Sequence, residues 1–272
     1  MIVDGRAIAS EVLKDTARRV GRIGRVPVVR AITCAPSPAT LSYLRIKEKR
    51  AHEAGMELSV VTLPDTATEE DFIQAIMLPG ADAVIVQLPL PDSLDTTRIV
   101  DAIPFHLDAD VLSAERYGAF LHAESEVLPP VVLAVQEILE RNGVSVYEKR
   151  TVVVGSGKLV GRPVASWLVR QGAEVLVVTN VEDSKEDLGE ADIVVLGAGK
   201  PSLVTPEMVK AGVVLIDAGT SEQGGQMVGD ADPSCASNAS VFTPVPGGVG
   251  PIAVACLFRN VATLLERTLQ EG

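Results

Sequence analysis

The sequence predicts an α/β protein of two domains with a cleft between them, and three observations predict this class. From residue 151 onward, short apolar strands alternate with helical patterns, which is typical of a parallel, doubly wound sheet. A glycine-rich turn directly follows one of those strands, where such sheets place their ligands. The 272 residues, 47% of them hydrophobic, supply enough core for two domains. We place one domain at residues 1–140, completed by a C-terminal helix at 252–272, and the other at residues 141–251.

Apolar periodicity gives the elements in order. In the first half it predicts helices at 6–20, 39–54, 96–103 and 131–141, strands at 28–33, 57–62 and 83–87, and a helix start within 66–71. In the second half it predicts strands at 152–154, 175–178, 193–196 and 213–217, and helices at 160–170 and 253–269. The helix at 131–141 is expected to connect the domains, and the last helix is expected to return to the first domain.

The turn after the strand at 152–154 carries glycines at 155, 157 and 161. Glycine permits a tight turn and close backbone approach, and N–H groups at the following helix start can receive a pyrophosphate. The spacing is GxGxxxG rather than GxGxxG, so a turn that only packs strand against helix is the alternative. A P-loop is excluded because Lys158 is not followed by Ser or Thr. The second domain is therefore predicted to be Rossmann-like.

Three further loops extend this pattern. Residues 197–201 and 217–221 each follow a strand end and are expected to border the same crevice as the glycine turn. Residues 243–251 contain three glycines and three prolines, which predicts a rigid loop with few side chains.

Polar side chains at strand ends in the first half are the candidates for chemistry. Tyr43 and Lys47 stand four residues apart on one helix face, directly after a strand. Gln87 lies at the carboxyl edge of the sheet, because prolines follow it. Asp108 and Asp110 share the next loop. The alternatives are an amphipathic surface helix for the first pair and a solvated loop or helix cap for the two carboxylates.

Composition narrows the classes of partner. The net charge of −12 and pI near 4.8 argue against binding to nucleic acid or an anionic membrane, since both need clustered Lys and Arg. A small molecule is the expected partner. The three cysteines are scattered and the three histidines lie far apart, so neither a disulfide framework nor a metal site is expected. Without a signal-peptide pattern or an apolar run of membrane-spanning length, we expect a cytoplasmic protein.

Five stretches share the pattern of one enzyme family. They are Asp4-Gly5-Arg6, the Tyr-x-x-x-Lys at 43–47, the VQLPLP segment at 86–91, Asp108-Ala109-Asp110 and the TPVPGGVGP loop at 243–251. Together they resemble the bifunctional methylenetetrahydrofolate dehydrogenase/methenyltetrahydrofolate cyclohydrolase family, known in bacteria as FolD. The resemblance covers nearly the whole chain, and the nine-residue loop is its most specific part.

The resemblance implies which residues form the folate and dinucleotide sites. Lys47 is implied as the central catalytic group, together with Tyr43, Gln87 and Asp110. The implied substrate contacts are Tyr43, Gln87, Leu88, Asp110, Pro246, Gly247, Gly248, Val249, Gly250 and Pro251. The implied dinucleotide contacts are Gly155, Ser156, Gly157, Gly161, Asn180 and Thr220.

The implied activity has two steps in one-carbon folate metabolism. The first oxidises 5,10-methylenetetrahydrofolate to 5,10-methenyltetrahydrofolate with NAD(P), and the second hydrolyses that product to 10-formyltetrahydrofolate. A lysine whose pKa is lowered by burial and by the cationic substrate can orient or deprotonate water. A cyclohydrolase without dehydrogenase activity, a noncatalytic folate-binding paralogue and a shikimate-dehydrogenase-like enzyme remain alternatives, although the last does not explain the loop at 243–251. A homodimer is implied by the resemblance alone.

Departures from the family pattern bear on the cofactor. Ser156 stands where the family has the arginine that faces a 2′-phosphate, and Glu182 adds an acid near the second strand of the Rossmann-like domain. The resemblance implies NADP, but these two changes make NAD a candidate as well. Val111 replaces the glycine that follows the Asp-x-Asp motif.

Overall fold

The structure, a computed structural model, describes residues 1–271 and has two parallel sheets in two compact units. This confirms the predicted two-domain α/β class. One unit, called here the N-terminal unit, contains Ser10–Pro130 and the chain from Val254 onward. The other, called here the C-terminal unit, contains Met1–Ala9 and Val131–Ala253.

The helices and strands follow the predicted alternation. The helices are α1 (Gly5–Val20), α2 (Pro38–Glu53), α3 (Glu69–Met77), α4 (Thr96–Asp101), α5 (Ala114–Leu121), α6 (Pro130–Arg141), α7 (Gly161–Arg170), α8 (Lys185–Glu190) and α9 (Val249–Glu271). The strands are β1 (Val28–Cys34), β2 (Glu57–Leu63), β3 (Ala83–Val86), β4 (Arg150–Val154), β5 (Glu174–Val178), β6 (Ile193–Leu196), β7 (Val214–Asp217), β8 (Ser221–Gln223), β9 (Gln226–Val228) and β10 (Val241–Phe242).

The N-terminal unit is organised on a three-stranded parallel sheet with the order β2-β1-β3. The central strand β1 is buried over all but its first residue, and Phe72 and Ile76 of α3 pack in the core beside it. Thr68 and Asp71 form a reciprocal capping box at the start of α3, as the acidic helix-start pattern predicted. The carboxyl ends of β1 and β3 lead directly into the segments that carry the candidate polar residues.

The C-terminal unit is organised on a five-stranded parallel sheet with the order β10-β7-β6-β4-β5. The strand β4 pairs with β5 on one side and with β6 on the other, so the chain reverses its direction of winding at β4. Open α/β sheets bind ligands at such a switch point. The glycine turn that follows β4 therefore lies where a ligand is expected.

The first residues of the chain belong to the C-terminal unit, whereas the sequence placed them in the first domain. The backbone N–H of Val3 donates to Phe242 at 2.8 Å, and the N–H of Phe242 donates to Met1 at 2.9 Å. Gly5 also packs so closely that a Cβ atom there would lie 1.9 Å from the carbonyl oxygen of Gly248. The division at Pro130 comes at the start of α6, before the expected boundary at residue 140.

Several elements depart from the sequence prediction. The helices α5 and α8, the antiparallel hairpin β8–β9 and the short strand β10 were not predicted. The last helix begins at Val249, inside the segment predicted to be a loop. From Val249 to Leu269 it is also long and apolar enough to cross a membrane by length and composition, contrary to expectation, but most of that stretch is buried inside the protein.

Candidate active site

A lysine and a glutamine form the centre of the candidate site in the N-terminal unit. The helix α2, which carries Lys47, begins after Ser37, whose hydroxyl accepts the N–H of Thr40 at 3.1 Å. Lys47 Nζ donates to Gln87 Oε1 at 2.9 Å. The amide of Gln87 also donates to the carbonyl of Leu88 at 2.8 Å, which turns its oxygen towards the lysine. The residue after β3 thus fixes the position of the ammonium group.

The environment of this pair lowers the pKa of the lysine. Burial lowers the pKa of Lys47 below its usual value, and the charge of Asp110 acts in the opposite direction. Burial likewise raises the pKa of Asp110, and Lys47 opposes that shift. Gln87 holds the lysine without adding a negative charge that would raise its pKa, so Lys47 is the candidate general base of the site.

The two carboxylates at 108 and 110 have different roles in their loop. Asp108 is fully buried and accepts the N–H of Leu112 at 3.1 Å and both the N–H and the hydroxyl of Ser113, at 2.8 and 2.7 Å. Within residues 1–271, the carboxylate of Asp110 receives no hydrogen bond. Asp108 therefore shapes the loop, and Asp110 is the carboxylate available to a ligand.

The backbone around Asp110 is fixed from the last helix. Asn260 of α9 donates to the carbonyl of Ala109 at 2.9 Å and to that of Leu128 at 2.8 Å. Val111 has a φ of +58°, a left-handed conformation that is an outlier for a β-branched residue. A buried amide on one side and a strained residue on the other thus hold Asp110 in place. Neither Asn260 nor this strain was predicted.

Tyr43 lies one turn before Lys47 on α2 and retains 39% of its exposure. Partial burial raises the pKa of its phenol, so the hydroxyl stays protonated at neutral pH. The structure thus places Tyr43, Lys47, Gln87 and Asp110 in one unit, with Lys47 in contact with Gln87 and in electrostatic range of Asp110. The proline-rich loop with Pro246, Gly247, Gly248, Val249, Gly250 and Pro251 belongs to the C-terminal unit.

The glycine turn of the C-terminal unit has the geometry of a dinucleotide cradle. Gly155 has a φ of +101°, and a Cβ atom there would lie 2.6 Å from the carbonyl oxygen of Gly197. A Cβ atom on Gly161 would lie 1.9 Å from the carbonyl oxygen of Gly155, whereas a Cβ atom on Gly157 would have no neighbour within 4 Å among the described residues. The first and third glycines are thus required for packing, and the second leaves open space for a ligand.

The start of α7 can receive an anion. Val160 precedes the helix and, within the described chain, provides no side-chain cap for it. The N–H of Arg162 donates to the carbonyl of Gly157 at 3.1 Å and Pro163 has no N–H, so Gly161 supplies the backbone N–H at the first helical position. Uncapped N–H groups at a helix start bind phosphate, and small residues allow the phosphate to approach. The residues present therefore fit a dinucleotide pyrophosphate.

The other predicted dinucleotide contacts lie in loops at the same end of the sheet. Ser156 is exposed in the glycine turn, and its carbonyl accepts the Nε of Arg162 at 2.9 Å. Asn180 follows β5, but its side chain donates to Asp183 at 2.6 Å and therefore shapes its own loop. Thr220 is exposed after β7. A dinucleotide contact of Asn180 or Thr220 stays a prediction.

The sequence did not reveal a pair of buried carboxylates, Asp217 and Asp230. Asp217 ends β7, and Asp230 follows the β8–β9 hairpin. Burial raises the pKa of Asp217 to about 6, although the N–H groups of Gly219 and Ala231 donate to it. Among the described residues, no group of three His, Cys, Asp or Glu side chains is placed to hold a metal ion.

The fold and the two sites define a class: a two-domain α/β protein with a dinucleotide cradle in one unit and a partly buried lysine site in the other. Comparison with known proteins specifies the class further. The family described as "Tetrahydrofolate dehydrogenase/cyclohydrolase, catalytic domain" matches residues 3–110, and its "NAD(P)-binding domain" matches residues 129–269. The chain therefore belongs to the tetrahydrofolate dehydrogenase/cyclohydrolase family, as its motifs predicted.

Individual relatives match this chain over nearly its whole length. The chain is 36% identical to the bifunctional protein FolD of Halothermothrix orenii, over 95% of each chain. It is similar to the crystal structure of the bifunctional FolD of Campylobacter jejuni, with a TM-score of 0.93, 28% identity and coverage of 98% of this chain and 99% of that one. It is also similar to the Trypanosoma brucei FolD complexed with NADP cofactor and inhibitor, with a TM-score of 0.93, 33% identity and coverage of 99% and 98%.

Proposed function

We propose that this protein oxidises 5,10-methylenetetrahydrofolate with a nicotinamide dinucleotide and hydrolyses the resulting methenyl cation to 10-formyltetrahydrofolate. The observation that carries the proposal is the contact between Lys47 and Gln87, in a setting that lowers the pKa of the lysine. Family membership supports both activities. The protein thus has a candidate base for the hydrolysis and a candidate binding site for the dinucleotide that oxidises the substrate.

The oxidation depends mainly on positioning. When bound, a nicotinamide accepts a hydride from the methylene carbon of the substrate. The turn between Gly155 and Gly161 holds the pyrophosphate at the start of α7, and Asp110 accepts N–H groups of the pterin. We further propose that Tyr43 and Leu88 contact the folate.

The hydrolysis depends on Lys47. Its neutral amine removes a proton from a water molecule as the water oxygen bonds to the methenyl carbon, and a positively charged substrate lowers the pKa of the lysine further. The bond from that carbon to N5 then breaks as N5 takes up the proton held by Lys47, and the hydroxyl of the adduct loses its own proton to become the formyl carbonyl, so the net reaction releases one proton. Gln87 keeps Nζ in position throughout.

An assay of the full chain with methylenetetrahydrofolate and either NAD or NADP tests the proposal. Reduced dinucleotide should form, followed by 10-formyltetrahydrofolate. Hydrolysis of added methenyltetrahydrofolate without dinucleotide reduction would favour the cyclohydrolase-only alternative. A folded protein with neither activity would overturn the proposal.

We also propose that NAD is bound at least as well as NADP. In Rossmann-like domains the loop after the second strand contacts the ribose of the dinucleotide, and here this loop follows β5 and carries Glu182 and Asp183. Lys185 Nζ pairs with Glu182 Oε2 at 2.5 Å, so the three side chains together leave one net negative charge. Ser156 adds no positive charge in the glycine turn. Titration with each dinucleotide tests this, and Ser156→Arg should strengthen binding of NADP relative to NAD. Tighter binding of NADP by the unaltered chain would contradict it.

We propose a homodimer that forms through the edge strand β5. Among the residues that the structure describes, this strand pairs only with β4, and Leu176 and Val177 remain 41% and 43% exposed on it. An exposed apolar edge invites pairing with a second strand. Light scattering should give the mass of two chains, and Val177→Lys should give the mass of one. Val26→Lys, which places the same charge at an exposed valine outside this strand, should leave the dimer intact.

A further inference from the structure

Asp230 makes an unusual set of contacts for a buried carboxylate. Its Oδ2 accepts the backbone N–H groups of Ala198 and Gly199 at 2.6 and 3.0 Å, and its Oδ1 accepts that of Lys200 at 2.8 Å. The side chain is fully buried. Three consecutive amides converging on one anion form a nest of the kind that otherwise binds phosphate.

Residues 198–200, which Asp230 holds, form one side of the candidate dinucleotide site, called here its wall. Residues 198–200 follow β6, the strand beside β4 at the switch point of the sheet. The preceding Gly197 is in van der Waals contact with the glycine turn, since a Cβ atom there would lie 2.4 Å from a methyl group of Val160. Because Gly155 in turn has no room for a Cβ atom beside Gly197, a shift of this segment displaces the turn.

A second buried carboxylate, Asp217, holds the backbone next to Asp230. Asp217 accepts the N–H of Gly219 at 2.9 Å and that of Ala231, the neighbour of Asp230, at 2.8 Å. A Cβ atom on Gly219 would lie 2.1 Å from the carboxylate carbon of Asp230, so these segments are in direct contact. All four carboxylate oxygens already accept N–H groups, which argues against a cation site or a catalytic base here.

We propose that Asp230 is a positioning residue for the dinucleotide, which fixes residues 198–200 opposite the Gly155 turn before the cofactor binds. The inference rests on the proposed function, because it assigns the occupant of the cradle. Since Asp230 already occupies the amides of 198–200, the pyrophosphate is directed to the glycine turn and to the N–H of Gly161 at the start of α7. This side of the site is thus already ordered before the cofactor binds, which lowers the entropy cost of binding.

Asp230→Asn tests this role in the full-length protein. An asparagine keeps the size but replaces one acceptor oxygen with a donor that faces backbone N–H groups. We expect the affinity for NAD and NADP, measured by calorimetry, to fall about tenfold or more. Because Lys47 lies in the other unit, hydrolysis of methenyltetrahydrofolate should stay within about twofold.

Asp232→Asn is the matched control. It removes the same charge two residues away, from a carboxylate that accepts the N–H of Ser234 at 2.9 Å instead of the 198–200 amides. Its dinucleotide affinity should remain unchanged. Equal affinities of the Asp230→Asn variant and the unaltered chain would overturn the positioning role, and so would an equal loss of hydrolysis and binding, which indicates general destabilisation.

Hydrogen exchange of the unaltered protein keeps the inference testable if Asp230→Asn does not fold. The amides of 198–200 should exchange slowly without any dinucleotide. Protection that arises only after NAD or NADP is added would contradict a wall built in advance. A chain that binds neither dinucleotide would overturn the proposed function and this role with it, whereas binding without protection would overturn this role alone.

Discussion

The chemistry proposed for this protein depends, at the scale of single residues, on the environment of one lysine. Lys47 is held by a neutral acceptor, and its pKa is lowered by burial while the nearby carboxylate of Asp110 opposes the shift. A negative neighbour in place of Gln87 would raise the pKa of Lys47 and increase the fraction of the lysine that is protonated at a given pH. The amide is therefore the appropriate partner for a lysine that must accept a proton.

Gln87→Glu tests this environment. The added carboxylate raises the pKa of Lys47, so a larger fraction of the lysine is protonated at a given pH. The acidic limb of the pH profile for methenyltetrahydrofolate hydrolysis should move upward by about one pH unit or more. Gln74→Glu, an exposed change on α3 in the same unit, is the control and should not move the limb. An unshifted limb for Gln87→Glu would contradict Lys47 as the base.

Val111 offers a separate test of backbone strain next to Asp110. Glycine normally destabilises a structure relative to alanine, but at a φ of +58° the order should reverse. We expect Val111→Gly to be more stable than Val111→Ala by about 1 kcal/mol in denaturant unfolding. An alanine variant that is the more stable of the two would show that this residue does not carry the strain.

Asp217 should titrate near neutral pH. Its pKa is raised to about 6 in the folded protein, above the usual 3.8. The folded state therefore holds the proton more tightly, and folding stability falls as pH rises through this window, with a cost of about 3 kcal/mol fully present above it. Carbon-13 NMR of the carboxyl group, assigned with Asp217→Asn, should give a midpoint near the raised value. A midpoint near the usual value would refute the effect of burial.

At the scale of elements, the sequence predicted those parts of the fold that rest on local patterns. The capping pattern before α3, the glycine turn after β4 and the spacing of Tyr43 and Lys47 each lie within one short segment. The helix α8 has only six residues, less than two turns, and so presents no apolar period. The strand β10 has two residues and is defined by its partner β7.

The same reasoning explains which site residues were missed. Asp230 acts on amides 30 to 32 residues earlier in the chain, and Asn260 acts on a carbonyl 151 residues away. No spacing rule connects such groups, because the fold alone brings them together. Lys47 and Gln87, 40 residues apart, could be predicted as candidates because Gln87 directly follows a strand and Lys47 lies on the helix that follows another strand.

At the scale of the whole molecule, the chain distributes two tasks over two units. The lysine, the glutamine and the ligand carboxylate belong to the N-terminal unit, and the dinucleotide cradle and its supporting carboxylates belong to the C-terminal unit. The chain passes between the units within α1, α6 and α9, so neither unit is a continuous segment. A substitution in one site should accordingly spare the intrinsic chemistry of the other.

Hydrolysis of methenyltetrahydrofolate by Lys47→Met, with dinucleotide affinity measured on the same sample, tests the central claim most directly. Methionine keeps the length and the apolar stem of the lysine but cannot accept a proton. We predict that hydrolysis falls by about 100-fold or more while NAD and NADP bind as they do to the unaltered chain. Hydrolysis at the unaltered rate by this variant would contradict the assignment of Lys47 as the catalytic base.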